Sequence, residues 1–283
     1  MVTISVEPQM SDAQAAELKG NLLDASHVRY TIGDESTTVV TPEGNVLAIL
    51  IKDAVPSTLC ATAEPFFRNS ATQPLIGSFR GTAAGEKMLH PIKKDGTVSK
   101  MLEVPDVPRL RGVKHGVLGY MDKTNLNPCR TTSYTRDHWE QFSTTVMPYV
   151  RAVDQVFQTY MPERWAAQNS VAVTTPDYTI AGTAFSTITV NLNFATATHQ
   201  DNGDLAEGFG VLTCFRSGGY SGGSLVFPKH GLAVNVGTGD VLLADVHQWH
   251  GNISIIGTQG EYQRLSCVMY YRSRLPLCPH TAR

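Results

Sequence analysis

His199 and Asp201 form an H-x-D pair, an imidazole and a carboxylate two positions apart. On an extended chain, residues i and i+2 point to the same side, so both can reach one metal ion. A second histidine from another strand would complete two nitrogens and one carboxylate. That set leaves open positions for a chelating cosubstrate and O2, the arrangement of non-haem iron(II) oxygenases. His247 and His250, in the stretch VHQWHGN, are the candidates for the third ligand. Taken alone, H-x-D is also what a polar pair at a strand end looks like, and the chain has nine histidines from which one could arise by chance.

A short strand should hold this pair. FSTITVNLNF (Phe185–Phe194) alternates strictly, with Ile188, Val190, Leu192 and Phe194 on one face and Thr187, Thr189, Asn191 and Asn193 on the other. Period-two alternation is the mark of a strand. Without a bulge, Thr189, Asn191 and Asn193 share the face of His199 and Asp201 and line the space beside the metal, whereas a single bulge would reverse this. Further apolar runs follow between glycine turns: Gly210–Phe215, Gly223–Pro228, Leu232–Val236, Asp240–His247 and Arg264–Tyr271. Short strands at this spacing read as a sandwich or barrel.

Several short motifs in order carry a resemblance. His199-Gln200-Asp201 is followed by GGSLVFP (Gly222–Pro228), TGDVLL (Thr238–Leu243), WHGN (Trp249–Asn252) and Arg264-Leu265-Ser266, with GVLGY (Gly116–Tyr120) and Arg130–Asp137 upstream. Together they resemble the TET/JBP group of iron(II)- and 2-oxoglutarate-dependent pyrimidine-base dioxygenases, over Thr183–Arg272 above all. The resemblance implies an α+β chain built on a double-stranded β-helix, similar to a jelly roll. It places the third ligand at His250 and leaves His247 as a neighbour. It also implies that Arg264 grips the far carboxylate of 2-oxoglutarate, a task suited to the planar guanidinium fork. Ser266 shares the strand parity of Arg264, and Asn191 and Asn193 join the cosubstrate set. The competing reading of Arg264 is a surface arginine on an edge strand.

The same resemblance points to a 5-methyl pyrimidine in DNA as substrate. Asp204, three residues past Asp201, stands where an acidic or amide side chain reads the base in some members. A carboxylate can accept from the exocyclic amine of cytosine and finds no such donor on thymine, which favours 5-methylcytosine; the plain alternative is an exposed loop acid in DNGDLAEG. Arg109, Arg111, Lys114 and His115, with Lys93 and Lys94 nearby, form the one local basic cluster. It can follow a phosphate backbone or be a solvated loop.

The remaining sequence sets limits. Net charge is −2, unlike the strongly basic balance of a dedicated duplex binder, so a free small molecule or amino acid is the alternative substrate. A non-catalytic jelly-roll binding module is the second alternative, against which the ligand set and Arg264 speak. No run of 18 apolar residues is present, so no membrane span is expected, and Met1–Asp12 lacks the pattern of a signal peptide. The five cysteines are widely spaced without a CxxC pair, which reads as free thiols in a reducing, intracellular compartment.

Residues 1–283 read as one catalytic domain and a monomer. Residues 1–110 are expected to be an α/β extension, with a short helix over Ala13–Leu23, a buried strand over Asn45–Ile51 and loops from Ser70 to Val107. Residues 111–175 are helical support and 176–275 the β-helix core. Trp139, Phe142, Val146, Tyr149, Val153, Val156 and Tyr160 recur at steps of three and four, one apolar stripe of a helix between Arg136 and Met161. Pro148 would kink it or start a second helix.

Overall fold

The structure, a computed structural model, describes residues 1–72, 83, 115–124, 127–258 and 260–279. Its strands are β1 (Val2–Ser5), β2 (Tyr30–Ile32), β3 (Thr37–Val40), β4 (Val46–Ile51), β5 (His115–Met121), β6 (Arg130–Thr131), β7 (Thr187–Leu192), β8 (Gly210–Gly218), β9 (Leu225–Phe227), β10 (Leu232–Val234), β11 (Val241–Ala244), β12 (Gly251–Asn252) and β13 (Tyr262–Tyr270). Helices are α1 (Asp12–Glu17), α2 (Ser57–Thr72), α3 (Ser133–Asp137), α4 (Trp139–Gln141), α5 (Met147–Tyr160) and α6 (Pro162–Ala172). A π-helical turn, Phe142–Val146, joins α4 to α5. Nine strands form one sheet in the order β1-β3-β4-β11-β8-β13-β7-β5-β6, and four form a second, β12-β9-β10-β2.

Alternation along the strands sorts side chains between two layers. Val241 and Leu243 of β11, Val211 and Phe215 of β8, and Leu265, Cys267 and Met269 of β13 face the helices. There they meet Phe66 and Phe67 of α2 and Tyr149, Val153 and Phe157 of α5. Phe67 lies 5.6 Å from Tyr149 and 5.8 Å from Phe215, centroid to centroid, spacings that favour aromatic pairs. On the other face, Leu242, Ala244, Leu212, Leu50 and Ala48 pack against Leu225, Phe227, Leu232 and Val234 of the small sheet. Toward β13 and β7 that inner face turns polar, with Thr189, Asn191, Arg264 and Ser266. The space between the sheets is therefore dry core on the β11 side and cavity toward β13 and β7.

The helix stripe behaves as its spacing predicts at its centre. Phe142, Val146, Tyr149 and Val153 are fully buried, whereas Trp139 and Tyr160 at the ends are 46% and 41% exposed. Pro148 lies two residues past the π-helical turn Phe142–Val146, and the helical run from Trp139 to Tyr160 continues past it. Phe194 falls beyond the end of β7 and is half-buried outside the core.

The N-terminal segment is woven into both sheets. β4 pairs antiparallel with β11 (Ala48↔Ala244 to Ile51↔Val241), β3 pairs with β4, and β2 pairs parallel with β10. Thr198, next to His199, donates from its backbone N–H to Asn21 O at 2.8 Å, and its own carbonyl accepts from Gly20 N at 2.9 Å. The expected helix over Ala13–Leu23 ends at Glu17, and the chain beyond it braces the ligand strand.

One expectation is corrected. Cys129 and Cys278 form a disulfide across 149 residues of sequence, while Cys60, Cys214 and Cys267 are free and buried. The bond closes where the β5–β6 connection packs against the C-terminal segment beside Tyr178, Tyr271 and Leu275, a proximity that cysteine spacing cannot show. No helix among the described residues is long and apolar enough to cross a membrane.

Candidate metal centre and cavity

His199 and His250 are brought together by their backbones. His199 N donates to His250 O at 2.8 Å, and His250 N to His199 O at 3.0 Å. Residues that exchange both bonds stand directly opposite in an antiparallel ladder, with side chains on one face; the ring centroids are 4.4 Å apart. Gly251 permits the approach, since a Cβ there would sit 3.1 Å from Thr198 N. Asn252 knits the same junction. Its Oδ1 accepts from Thr196 N and Oγ1 at 3.1 and 2.7 Å, and its Nδ2 donates to Gly223 O at 3.1 Å.

Each ring is oriented by main chain. His199 Nδ1 lies 2.7 Å from Ala197 O, and His250 Nδ1 lies 2.9 Å from Gln248 O. A carbonyl on Nδ1 fixes each ring so that Nε2 points into the centre, where it can donate a proton toward Asp201 or, deprotonated, bind a metal. Both Nε2 atoms face Asp201, at 3.4 Å from Oδ1 for His199 and 3.6 Å from Oδ2 for His250. Ligand atoms of the three residues lie within 4.8 Å of one another.

Burial penalises the Asp201 charge, yet hydrogen bonds to the two imidazoles outweigh it and hold the carboxyl well below its ordinary range. Burial, with His250 alongside, pushes His199 down; His250 is also penalised by burial, but its hydrogen bond to Asp201 raises it. An anionic carboxylate facing two imidazoles is a donor set for a divalent metal. His247 stays apart, its Nε2 3.4 Å from Leu205 O and its carbonyl accepting from Gln200 Nε2 at 2.6 Å.

The three residues open onto a cavity of about 290 Å³. Along β13, Arg264, Ser266, Val268 and Tyr270 share one parity, and Arg272 continues it; all five line the cavity. At roughly 3.3 Å per residue, Arg264 and Arg272 are about 26 Å apart along the strand, so they mark opposite ends.

At the inner end Arg264 is 4% exposed. No carboxylate among the described residues pairs with it. A buried guanidinium without an anion is costly and suits a carboxylate ligand. Gly223, at φ +76, leaves room for it: a Cβ there would lie 2.7 Å from Arg264 Cδ and Nε. Asn191, 3% exposed, offers a buried Oδ1 with no partner, and Ser266 stands beside it on β13. Imidazoles, carboxylate, arginine and unpaired amide therefore fit a metal with a dicarboxylate chelator.

Asn193 departs from its expected place. It lies past the end of β7 at φ 50, exposed. Its Oδ1 accepts from Arg264 N at 2.7 Å and its Nδ2 donates to Tyr262 O at 3.3 Å. The left-handed turn breaks the alternation that placed it in the cavity, and it fastens the Arg264 backbone from outside. Asp204 lines the mouth. Arg109, Arg111, Lys114, Lys93 and Lys94 lie outside the described residues; His115 is buried on β5, opposite Asn191.

Sequence reasoning passed over Asn252, Tyr270, Arg272 and Asp122. The parity that linked Arg264 to Ser266 reaches Tyr270 and Arg272 if simply extended. Nothing in the sequence joins Asp122 to them.

The Tet_JBP family profile, described as the oxygenase domain of the 2OGFeDO superfamily, matches residues 116–273. The chain is 38% identical over 166 residues to thymine dioxygenase JBP1 of Trypanosoma brucei brucei, covering 56% of this chain and 19% of that protein. It is 30% identical over 244 residues to thymine dioxygenase JBP1 of Leishmania tarentolae, covering 85% and 26% respectively. It thus spans between a fifth and about a quarter of the length of these curated relatives. Among solved structures, NgTET1 in complex with 5mC DNA shares the fold at TM-score 0.55 and 15% identity, over 93% of this chain and 92% of that one. With a profile match covering more than half its length, this chain belongs to the Tet_JBP oxygenase family of the 2OGFeDO superfamily.

Proposed function

We propose that this protein is an iron(II)- and 2-oxoglutarate-dependent dioxygenase that hydroxylates the 5-methyl group of a pyrimidine in DNA, with residues 1–283 acting as one catalytic unit. The observation that carries the reading is one cavity lined both by a His-Asp-His cluster and by a buried arginine of β13 that no carboxylate among the described residues pairs. His199, Asp201 and His250 hold the metal. Arg264 pairs the far carboxylate of the cosubstrate, and the Ser266 hydroxyl and Asn191 amide complete its polar cradle. Leu212, Leu225, Ala244, Val246 and Val268 supply the apolar wall that keeps water out. Iron with bound 2-oxoglutarate and O2 supplies the oxidation of an unactivated C–H bond, with succinate and CO2 as the coproducts.

DNA as the substrate rests on family membership and on the names of the relatives, thymine dioxygenases and a TET enzyme bound to 5mC DNA. A base within a duplex must leave the stack to enter such a cavity. For the choice of base, Asp204 at the mouth favours 5-methylcytosine, and the thymine dioxygenases favour thymine. Incubation of methylated and unmethylated DNA with enzyme, iron(II) and 2-oxoglutarate, followed by nucleoside mass spectrometry, tests both. Formation of a 5-hydroxymethyl pyrimidine is the expected result. Succinate release with a free nucleoside or amino acid, and none with DNA, would replace the DNA reading by a small-molecule one.

A further inference from the structure

Asn252 is 5% exposed and lines the cavity one position past Gly251 on β12. Its carboxamide has two chemically different ends, an oxygen that only accepts and a nitrogen that only donates. The oxygen serves the strand that carries His199. It accepts from both the N–H and the hydroxyl of Thr196, and Asn252 N in turn donates to Thr196 O at 2.8 Å. One residue thereby holds every polar atom of Thr196. The next residue, Ala197, supplies the carbonyl that lies 2.7 Å from His199 Nδ1. The amide nitrogen serves a different segment. It donates to Gly223 O at 3.1 Å and to Ser224 O at 3.3 Å, in the turn where Gly223 leaves room for the Arg264 side chain.

We propose that Asn252 is a positioning residue with two separable tasks: its oxygen aims the metal ligand His199, and its nitrogen holds the turn that lets Arg264 reach the cosubstrate. This rests on the iron and 2-oxoglutarate reading above. A carboxamide performs both tasks without charge. A carboxylate of the same shape keeps the acceptor and turns the donor into a second acceptor. Set against Gly223 O and Ser224 O, that second acceptor would repel the turn, and buried carbonyls left without a donor are costly. The oxygen end has its own handle in Thr196, whose hydroxyl can be removed while the amide stays whole. Each end can therefore be broken separately.

The test measures binding. Iron(II) is titrated anaerobically without 2-oxoglutarate, and 2-oxoglutarate is titrated with manganese(II) saturating the metal site. Asn252→Asp should weaken 2-oxoglutarate binding about tenfold, the scale of a buried hydrogen bond lost with its acceptor left unpaired, and change iron(II) binding less than about twofold. Thr196→Val should do the reverse, weakening iron(II) binding about fivefold and 2-oxoglutarate binding less than about twofold. Asn252→Leu, of similar size and uncharged, breaks both ends and should show both losses. Because it brings no carboxylate, it also separates loss of the donor from a new ion pair with Arg264. Should Asn252→Asp fail to fold, a 2-oxoglutarate loss in Asn252→Leu that Thr196→Val lacks supports the same assignment. Asn252→Asp and Thr196→Val shifting both affinities alike, the mark of a merely structural role, would overturn the inference. So would unchanged 2-oxoglutarate binding in Asn252→Leu. If the wild-type protein binds neither iron(II) nor 2-oxoglutarate, the underlying reading falls; if it binds both and the variants match it, only this inference falls.

Discussion

His199 and His250 are each held by a main-chain carbonyl on Nδ1, whereas Arg272 at the other end of the cavity is held by the side chain of Asp122. The inner end is aimed by backbone. Its histidines face each other because their peptides are hydrogen-bonded, and Arg264 lies in a groove that Gly223 keeps open. The mouth is aimed by charged side chains from segments 150 residues apart in sequence, Asp122 and Arg272. Backbone placement tolerates change in neighbouring side chains; a charge pair fails when either member changes. The inner end should therefore be intolerant of ligand loss and, Asn252 and Thr196 aside, robust to its surroundings, and the mouth should be tunable.

The largest effect should come from removing a ligand. His199→Ala, Asp201→Ala or His250→Ala should abolish iron binding and turnover while circular dichroism stays native, whereas His247→Ala should retain both. A dead His247→Ala beside an active His250→Ala would exchange the two histidines and undo the account of the inner end.

Next comes the arginine. Arg264→Lys preserves charge and loses the two-pronged fork, so KM for 2-oxoglutarate should rise roughly ten- to hundredfold, as for the loss of a bidentate carboxylate contact of about 1.5–3 kcal/mol. Iron affinity, measured separately, should not move. An unchanged requirement for 2-oxoglutarate would remove Arg264 from the cosubstrate site.

Gly223→Ala sharpens the same point without touching a functional group. The new Cβ would meet Arg264 Cδ and Nε at 2.7 Å in a left-handed backbone conformation, which costs about 1 kcal/mol for a residue with a side chain. A several-fold rise in KM for 2-oxoglutarate with a small drop in melting temperature is expected. A large loss of stability with unchanged KM would make Gly223 a folding residue only.

The effect at the mouth should fall on base choice rather than on turnover. Asp204→Ala should change the ratio of methylcytosine to thymine oxidation by about one to two decades, from roughly 1–3 kcal/mol of discrimination per base contact. Succinate release in the absence of DNA is the control. A ratio that does not move would take base choice away from Asp204.

Legibility follows the same division. The H-x-D pair, the later histidine and the R-x-S arrangement are local patterns on strands whose alternation is visible, so β7, β8, β11 and β13 and most of the inner site could be read from the chain. Asn193 shows the limit: alternation holds only while the strand does, and the strand stops at Leu192. Phe194 fails for the same reason. β5 was hidden inside a segment read as helical support, because His115–Met121 carries two glycines and little alternation. The disulfide between Cys129 and Cys278 and the ion pair between Asp122 and Arg272 join residues whose sequence separation says nothing about their distance.

By itself the sequence narrowed the residues able to bind a metal and a carboxylate to a few candidates, because ligand chemistry belongs to side-chain type and same-side placement needs only a short extended strand. Tertiary structure decided which of His247 and His250 faces Asp201, through one antiparallel bridge between two chain segments 51 residues apart. It also decided where the space between the sheets is dry and where it is open, and which carboxylate commands Arg272. Those outcomes depend on how distant strands pair and pack, and pairing of that kind is set by the whole core rather than by any local run of residues.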